Sequence, residues 1–265
     1  MFRKTAIGGF LALALLSGGE ATPRAQNPQA PPTPQATPSP EAAPTPQATP
    51  SPAAIPTPKA TATPEQDFQQ HSYFDATAKW PERSIYVCWE NPDDRYSDEM
   101  ALVRKSVAES WEAASAVRFT GWQRCAPENM GIRILIDDSG PHTKGLGVNL
   151  NGRVNGMVLN FTFNNWRQSC RNTLALCTKS IAVHEFGHAL GFAHEQNRPD
   201  TPGECLDERQ GSNGTVMLTP YDPQSVMNYC NPAYNNLGVL SRYDAEAVQK
   251  IYGRSVLNPT GIVRE

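Results

Sequence analysis

Proline limits where this chain can fold more sharply than any other residue. Fourteen of its 24 prolines fall between Pro23 and Pro64, and proline neither donates a backbone hydrogen bond nor fits the interior of a helix or a central strand. The same stretch is otherwise mostly Ala, Thr, Gln and Ser, and the nonapeptide PTPQATPSP occurs twice, from Pro32 and from Pro44. Such a composition cannot bury a core and predicts an extended, semi-rigid spacer over residues 22–68. It suits a solvated linker, or a wall-spanning or glycosylated stalk that holds the protein near a cell envelope. The 39% of hydrophobic residues therefore have to build their core further on, which predicts one folding unit over 69–255 and a short tail over 256–265.

Residues 1–21 read as an export signal. Arg3 and Lys4 supply the positive end, and Ala6 to Leu16 supply 11 apolar residues, too few to span a bilayer. Gly19 and Ala21 fit a small-x-small cleavage rule, which places the cut near Ala21. Behind this leader stand six cysteines, at 88, 125, 170, 177, 205 and 230. An even count after an export signal predicts disulfides and an oxidising compartment, extracellular or periplasmic. Six cysteines allow 15 pairings, and sequence alone does not choose among them; proximity of the flanking elements favours 88 with 125, 170 with 177, and 205 with 230. The net charge of −3 sets up no strong field, and no basic run interleaved with aromatics argues for nucleic acid. No long heptad appears, so a monomer without stable membrane insertion is expected.

Ser84 to Trp89 alternates like a strand, and Val117–Trp122, Ile132–Ile136 and Met157–Phe163 read likewise, with Gly145–Leu150 as a weaker, glycine-bearing strand. From Asp98 to Ala114, apolar residues recur at helical spacing, with Asp98 and Glu99 placed for the helix dipole. A second helix is predicted over Ser180–Leu190, capped by Thr178 or Ser180 and stopped at Gly191. A third follows Ser241, whose spacing to Asp244 makes a capping box. Strands first and helices later predict a mixed α/β domain.

Residues 184–195 read HEFGHALGFAHE. On a helix, His184 and His188 are one turn apart and share a face, so two imidazoles can bind one ion. Glu185 lies beside the first ligand, placed to take a proton from water without itself ligating. Gly191 permits a backbone conformation that other residues resist, which turns the chain and delivers His194 as the third ligand. Three protein ligands leave a coordination position open, as in catalytic zinc sites and unlike structural ones. Five fixed positions arise by chance in such a chain with a probability on the order of one in ten thousand.

These residues match the HExxHxxGxxH signature of the metzincins. Glu195 and the following Gln196, Asn197, Arg198, Pro199 and Asp200 closely resemble the HEQxRPD run of astacin-like peptidases. Ser225 to Tyr229, SVMNY, resemble that family's SxMxY turn, in which Met227 would lie beneath the metal and Tyr229 would be a detachable fifth ligand. Leu240, Ser241 and Asp244 resemble its LSxxD helix start. The resemblance implies a twisted, mainly parallel sheet over helices, a zinc cleft and a small irregular C-terminal subdomain. It implies one catalytic Zn2+, a protein or peptide substrate, Glu185 as general base, Tyr229 as oxyanion donor, and Glu195 as a structural neighbour of the site. The family's FxGD propeptide segment is absent, Asn228 stands where histidine is common, and the family's usual cysteine pairing does not map onto these six positions. A zinc-binding module without catalysis, a stalked adhesin, and an amidase acting on a non-peptide crosslink compete with the peptidase; the intact Glu185 argues against the first two.

Overall fold

The computed structural model describes residues 72–255. The expected leader, spacer and tail lie outside them. Along the chain run β1 (Tyr73–Phe74), β2 (Ser84–Trp89), α1 (Ser97–Val107), β3 (Arg118–Arg124), β4 (Ile132–Ile136), β5 (His142–Thr143), β6 (Met157–Leu159), α2 (Leu174–Ala189), β7 (Val216–Met217) and α3 (Arg242–Tyr252). Five strands form one sheet in the order β3-β2-β4-β6-β5. Four run parallel, and only the edge strand β5 is antiparallel, pairing His142 with Val158 and Thr143 with Met157. β1 and β7 make a separate antiparallel pair. This is the mixed, mainly parallel architecture that the sequence predicted.

Parallel strands covered on both faces are apolar along their length, and Ile85, Val87, Ile132, Ile134 and Leu159 are all buried. Arg133 is the exception on β4. Its guanidinium grips both carboxylate oxygens of Glu90, at 2.9 Å each, and donates to the carbonyls of Ala126, Pro127 and Asn129. One paired charge thereby fastens the end of β2 to the 126–129 loop, which the Cys88–Cys125 disulfide also ties down. The other bridges are Cys170–Cys177 and Cys205–Cys230, the pairing favoured by proximity.

α1 continues into a wider π-turn over Ala108–Glu112, which carries the fully buried Trp111. Its indole N–H donates to the Val183 carbonyl at 2.8 Å, and its ring stacks on Phe192 at 5.5 Å. α2 starts at Leu174, six residues before the predicted start. Ser180 does not cap it: its hydroxyl donates to the Leu176 carbonyl one turn back, at 2.8 Å, a way for a mid-helix serine to satisfy itself. α3 begins at the predicted capping box, with Ser241 and Asp244 bonded reciprocally.

Two predicted strands are corrected. Gly145–Leu150 contains a 3-10 turn, Gly147–Leu150. Gly147 adopts φ +50° with its backbone pressed against the Ala78 carbonyl, where a Cβ would overlap, and the chain curls instead of extending. The sheet edge is β5. β6 ends at Leu159, because the Asn160 side-chain carbonyl accepts the Thr162 and Phe163 amides and turns the chain. From Gly191 to Leu240 the chain is irregular, built of short 3-10 turns and the β7 pair, as the expected C-terminal subdomain would be.

Candidate metal centre

α2 presents His184 and His188 from one face, with ring centroids 4.7 Å apart. The helix then stops at Gly191. Its φ is +104°, and a Cβ there would stand 2.6 Å from the Phe74 ring, so both the conformation and the space call for glycine. The turn returns His194 to its partners. His194 Nε2 lies 3.2 Å from His184 Nε2 and 3.1 Å from His188 Nε2.

Each imidazole is oriented from behind. The Nδ1 atoms of His184, His188 and His194 sit 2.8 Å from the carbonyl oxygens of Val226, Phe192 and Gln210 respectively. A carbonyl only accepts, so each Nδ1 carries the proton and each Nε2 turns a lone pair toward the other two. All three rings are buried. Burial, reinforced by His194, lowers the His184 pKa to about 3, and burial likewise depresses His188 and His194. Three neutral imidazoles with facing lone pairs repel one another unless a cation lies between them. Tetrahedral zinc bonds of about 2.0–2.1 Å hold ligand nitrogens about 3.3 Å apart, so the observed separations fit that ion. Among the described residues, these histidines are the one group of three or more metal-ligating side chains that could share an ion.

Glu185 follows the first ligand on α2. It is buried, its Oε2 has no hydrogen-bond partner, and burial raises its pKa to about 8. Tyr229 covers the other side, its ring stacked on His184 at 5.1 Å and 4.5 Å from His194. Burial, then the Glu185 charge, push its phenol above the usual range. Glu185, His188, His194 and Tyr229 line a cleft of about 200 Å³ whose opposite wall includes His142 and Thr143 of β5. Met227 packs under α2 at Gly187, where a Cβ would overlap its sulfur. Glu195 does not reach the cleft. It pairs with Arg198 at 3.1 Å and accepts the Asp222 amide at 2.9 Å, which braces the chain just after His194. Asn228 is buried and donates to the Asp222 carbonyl and the Tyr221 hydroxyl, so the place where histidine is common is used for structure.

Some of the site was not visible in the sequence. The three carbonyl acceptors are backbone atoms with no residue signature. Asp244 was read as a cap, yet it also accepts the Ser225 hydroxyl at 2.6 Å and the Val226 amide at 2.9 Å, holding the segment whose carbonyl orients His184. Gln196 accepts the Tyr229 amide at 3.0 Å. Gly187 did carry a signal, as a glycine inside an otherwise apolar helix.

The convergent imidazoles define a candidate zinc site, and part of the chain is similar to astacin-family proteins. Residues 167–205 match the model of the family Astacin (Peptidase family M12A). Over 71 residues the chain is 38% identical to zinc metalloproteinase nas-30 of Caenorhabditis elegans, an alignment covering 21% of this chain and 9% of that protein. Over 175 residues it is 26% identical to embryonic protein UVS.2 of Xenopus laevis, covering 61% of this chain and 30% of that protein. The chain thus spans less than a third of either relative. Its fold is similar to that of myroilysin, with a TM-score of 0.52 and 20% identity, covering 69% of this chain and all of that one.

Proposed function

We propose that this chain is a secreted, zinc-dependent endopeptidase that hydrolyses peptide bonds with Glu185 as general base. The observation that carries the reading is the unpartnered, buried Glu185 Oε2 beside three convergent imidazoles at the wall of an open cleft. Zinc in a three-histidine site makes water acidic, with a pKa of about 7, and polarises a carbonyl. His184, His188 and His194 would hold it. Glu185 would take the proton from the attacking water and return it to the leaving amine. Tyr229 would be a detachable further ligand of the ion, and its phenol would hydrogen-bond the developing oxyanion. Met227, Gly191 and Glu195 hold this arrangement in place. An extended peptide can add to the free edge of β5 at His142–Thr143.

Three disulfides support an oxidising destination, extracellular or periplasmic. No helix of the described residues is long and apolar enough to cross a membrane. The reading keeps residues 1–21 as leader, 22–68 as linker, 69–255 as a monomeric catalytic domain and 256–265 as tail.

The deciding experiment maps cuts in a mixed peptide library by mass spectrometry, using the secreted protein, its Glu185→Ala variant and a chelated sample. Cuts that vanish in both controls, with zinc retained by Glu185→Ala, are expected. A folded, zinc-loaded protein that makes no cuts overturns the peptidase, and loss of zinc in Glu185→Ala overturns the role given to that carboxylate.

A further inference from the structure

A larger hollow lies away from the histidines, between α1 and the outer edge of the sheet at β3, with a volume of about 510 Å³. Its floor is apolar, formed by Trp89, Met100 and Trp122, and Arg104, Lys105 and Arg124 stand around it. No carboxylate is among its lining residues. Lys105 reaches Glu109 only at 3.8 Å, and among the described residues neither Arg104 nor Arg124 pairs with a carboxylate. Arg124 is instead splayed over the carbonyls of Glu90 and Pro92, at 3.5 and 3.0 Å. Arg104 and Arg124 thus stand without a carboxylate partner among the described residues, and Lys105 has only the distant Glu109.

The backbone goes out of its way to build this floor. β2 and β3 lose register between Val87 and Trp89, and at that bulge Gly121 and Trp122 take φ values of +96° and +73°. A bulky residue at positive φ is a strained outlier, held only where its surroundings impose it, and bulges re-aim side chains at sheet edges. Here the bulge turns the Trp122 ring inward. It stacks on Phe186 of α2 at 5.7 Å and lies 6.2 Å from Trp89, and the residue is only partly buried. The floor of the hollow therefore touches the helix that carries His184 and His188.

We propose that this hollow is a docking site for a segment of a protein partner that carries acidic residues beside apolar ones. The apolar side chains would cover Trp122 and Met100, and the carboxylates would meet Arg104, Lys105 and Arg124. Bidentate pairing of guanidinium with carboxylate favours an acidic peptide over a merely apolar one. The proposal stands apart from the peptidase reading, because docking here needs neither zinc nor Glu185.

The test uses the full chain carrying Glu185→Ala, so that a peptide probe survives, and a fluorescein-labelled decapeptide alternating glutamate and leucine. Anisotropy should show saturable binding that weakens at least about tenfold in Arg104→Glu/Arg124→Glu and falls as salt rises. A decapeptide alternating lysine and leucine should not bind. Should the double variant melt early, Arg104→Glu alone, which breaks no described hydrogen bond, should still weaken binding about threefold. Equal affinity of the charge-reversed proteins, equal binding of the lysine peptide, or no saturation by about 1 mM overturns the proposal.

Discussion

Gly187 shows how tightly single residues are fixed around the imidazoles. It lies within α2 between the two ligands, where alanine would ordinarily gain up to about 1 kcal/mol in helix propensity. A Cβ there would overlap Met227 Sδ and stand 3.0 Å from Trp111, both buried with nowhere to move. Gly187→Ala should therefore lose about 1–3 kcal/mol by overpacking and shift Met227 from its place against α2. A thermal melt with and without zinc checks this, and a variant more stable than the parent would show that the contact is soft. Tyr229 makes the opposite kind of prediction. Its ring is held by stacking on His184 and its amide by Gln196, neither of which needs the hydroxyl. Tyr229→Phe should keep its zinc and its fold, and should lose about 10–10³-fold in kcat if the phenol stabilises the oxyanion. At this scale the side-chain chemistry was legible, because ligand types and their spacing are written in the residues. The Nδ1 acceptors were not, since Val226, Phe192 and Gln210 contribute only backbone oxygens.

Among the elements, legibility followed how one-sided each segment is. α3 buries one side, and β2 opens on an exposed Ser84 with half-buried Tyr86 between buried Ile85 and Val87; their bounds came out as the pattern predicted. α2 is buried nearly all round from Cys177 to Ala189, so it has no polar stripe to mark its start. Gly145–Leu150 alternates like a strand, but Gly147 needs a positive φ to clear Ala78, and a pattern of side chains does not reveal that contact. Nor did the apolar run of β4 announce that Arg133 would be buried and matched to Glu90 across β2. That pairing holds the Glu90 carboxyl below its usual pKa, chiefly through the Arg133 hydrogen bonds. Because the folded value is depressed, the stabilisation is fully present above about pH 4.5 and is lost as pH falls through the lower folded value. Glu90→Gln should cost about 2 kcal/mol at pH 7, and the gap between parent and variant should close in urea melts taken progressively below pH 4.5. A gap that stays constant down to pH 3 would mean that the ion pair contributes nothing beyond its shape.

For the molecule as a whole, the ligands join two unlike parts. His184 and His188 belong to α2, packed against the sheet, while His194 belongs to the irregular stretch that runs from Gly191 to α3. That stretch has little regular backbone bonding of its own. It is held by the Cys205–Cys230 bridge, by Glu195 with Arg198, and by Asp244, which reaches from the start of α3 to the Val226 amide and so to the carbonyl behind His184. Zinc would be a further clasp between the parts, and it binds the folded chain far better than the unfolded one. By linkage, free zinc at a hundred times its dissociation constant adds about 2.7 kcal/mol of stability. Chelation should thus lower the melting temperature without unfolding the protein at 25 °C, because the sheet, α1 and three disulfides remain. The loss should also be uneven. Amide exchange should speed up over 191–240, where the clasp is released, and change little in β2 and β4, whose bonds lie within the sheet. Uniform acceleration across both would show instead that the two parts unfold as one unit and that the histidines staple the whole domain.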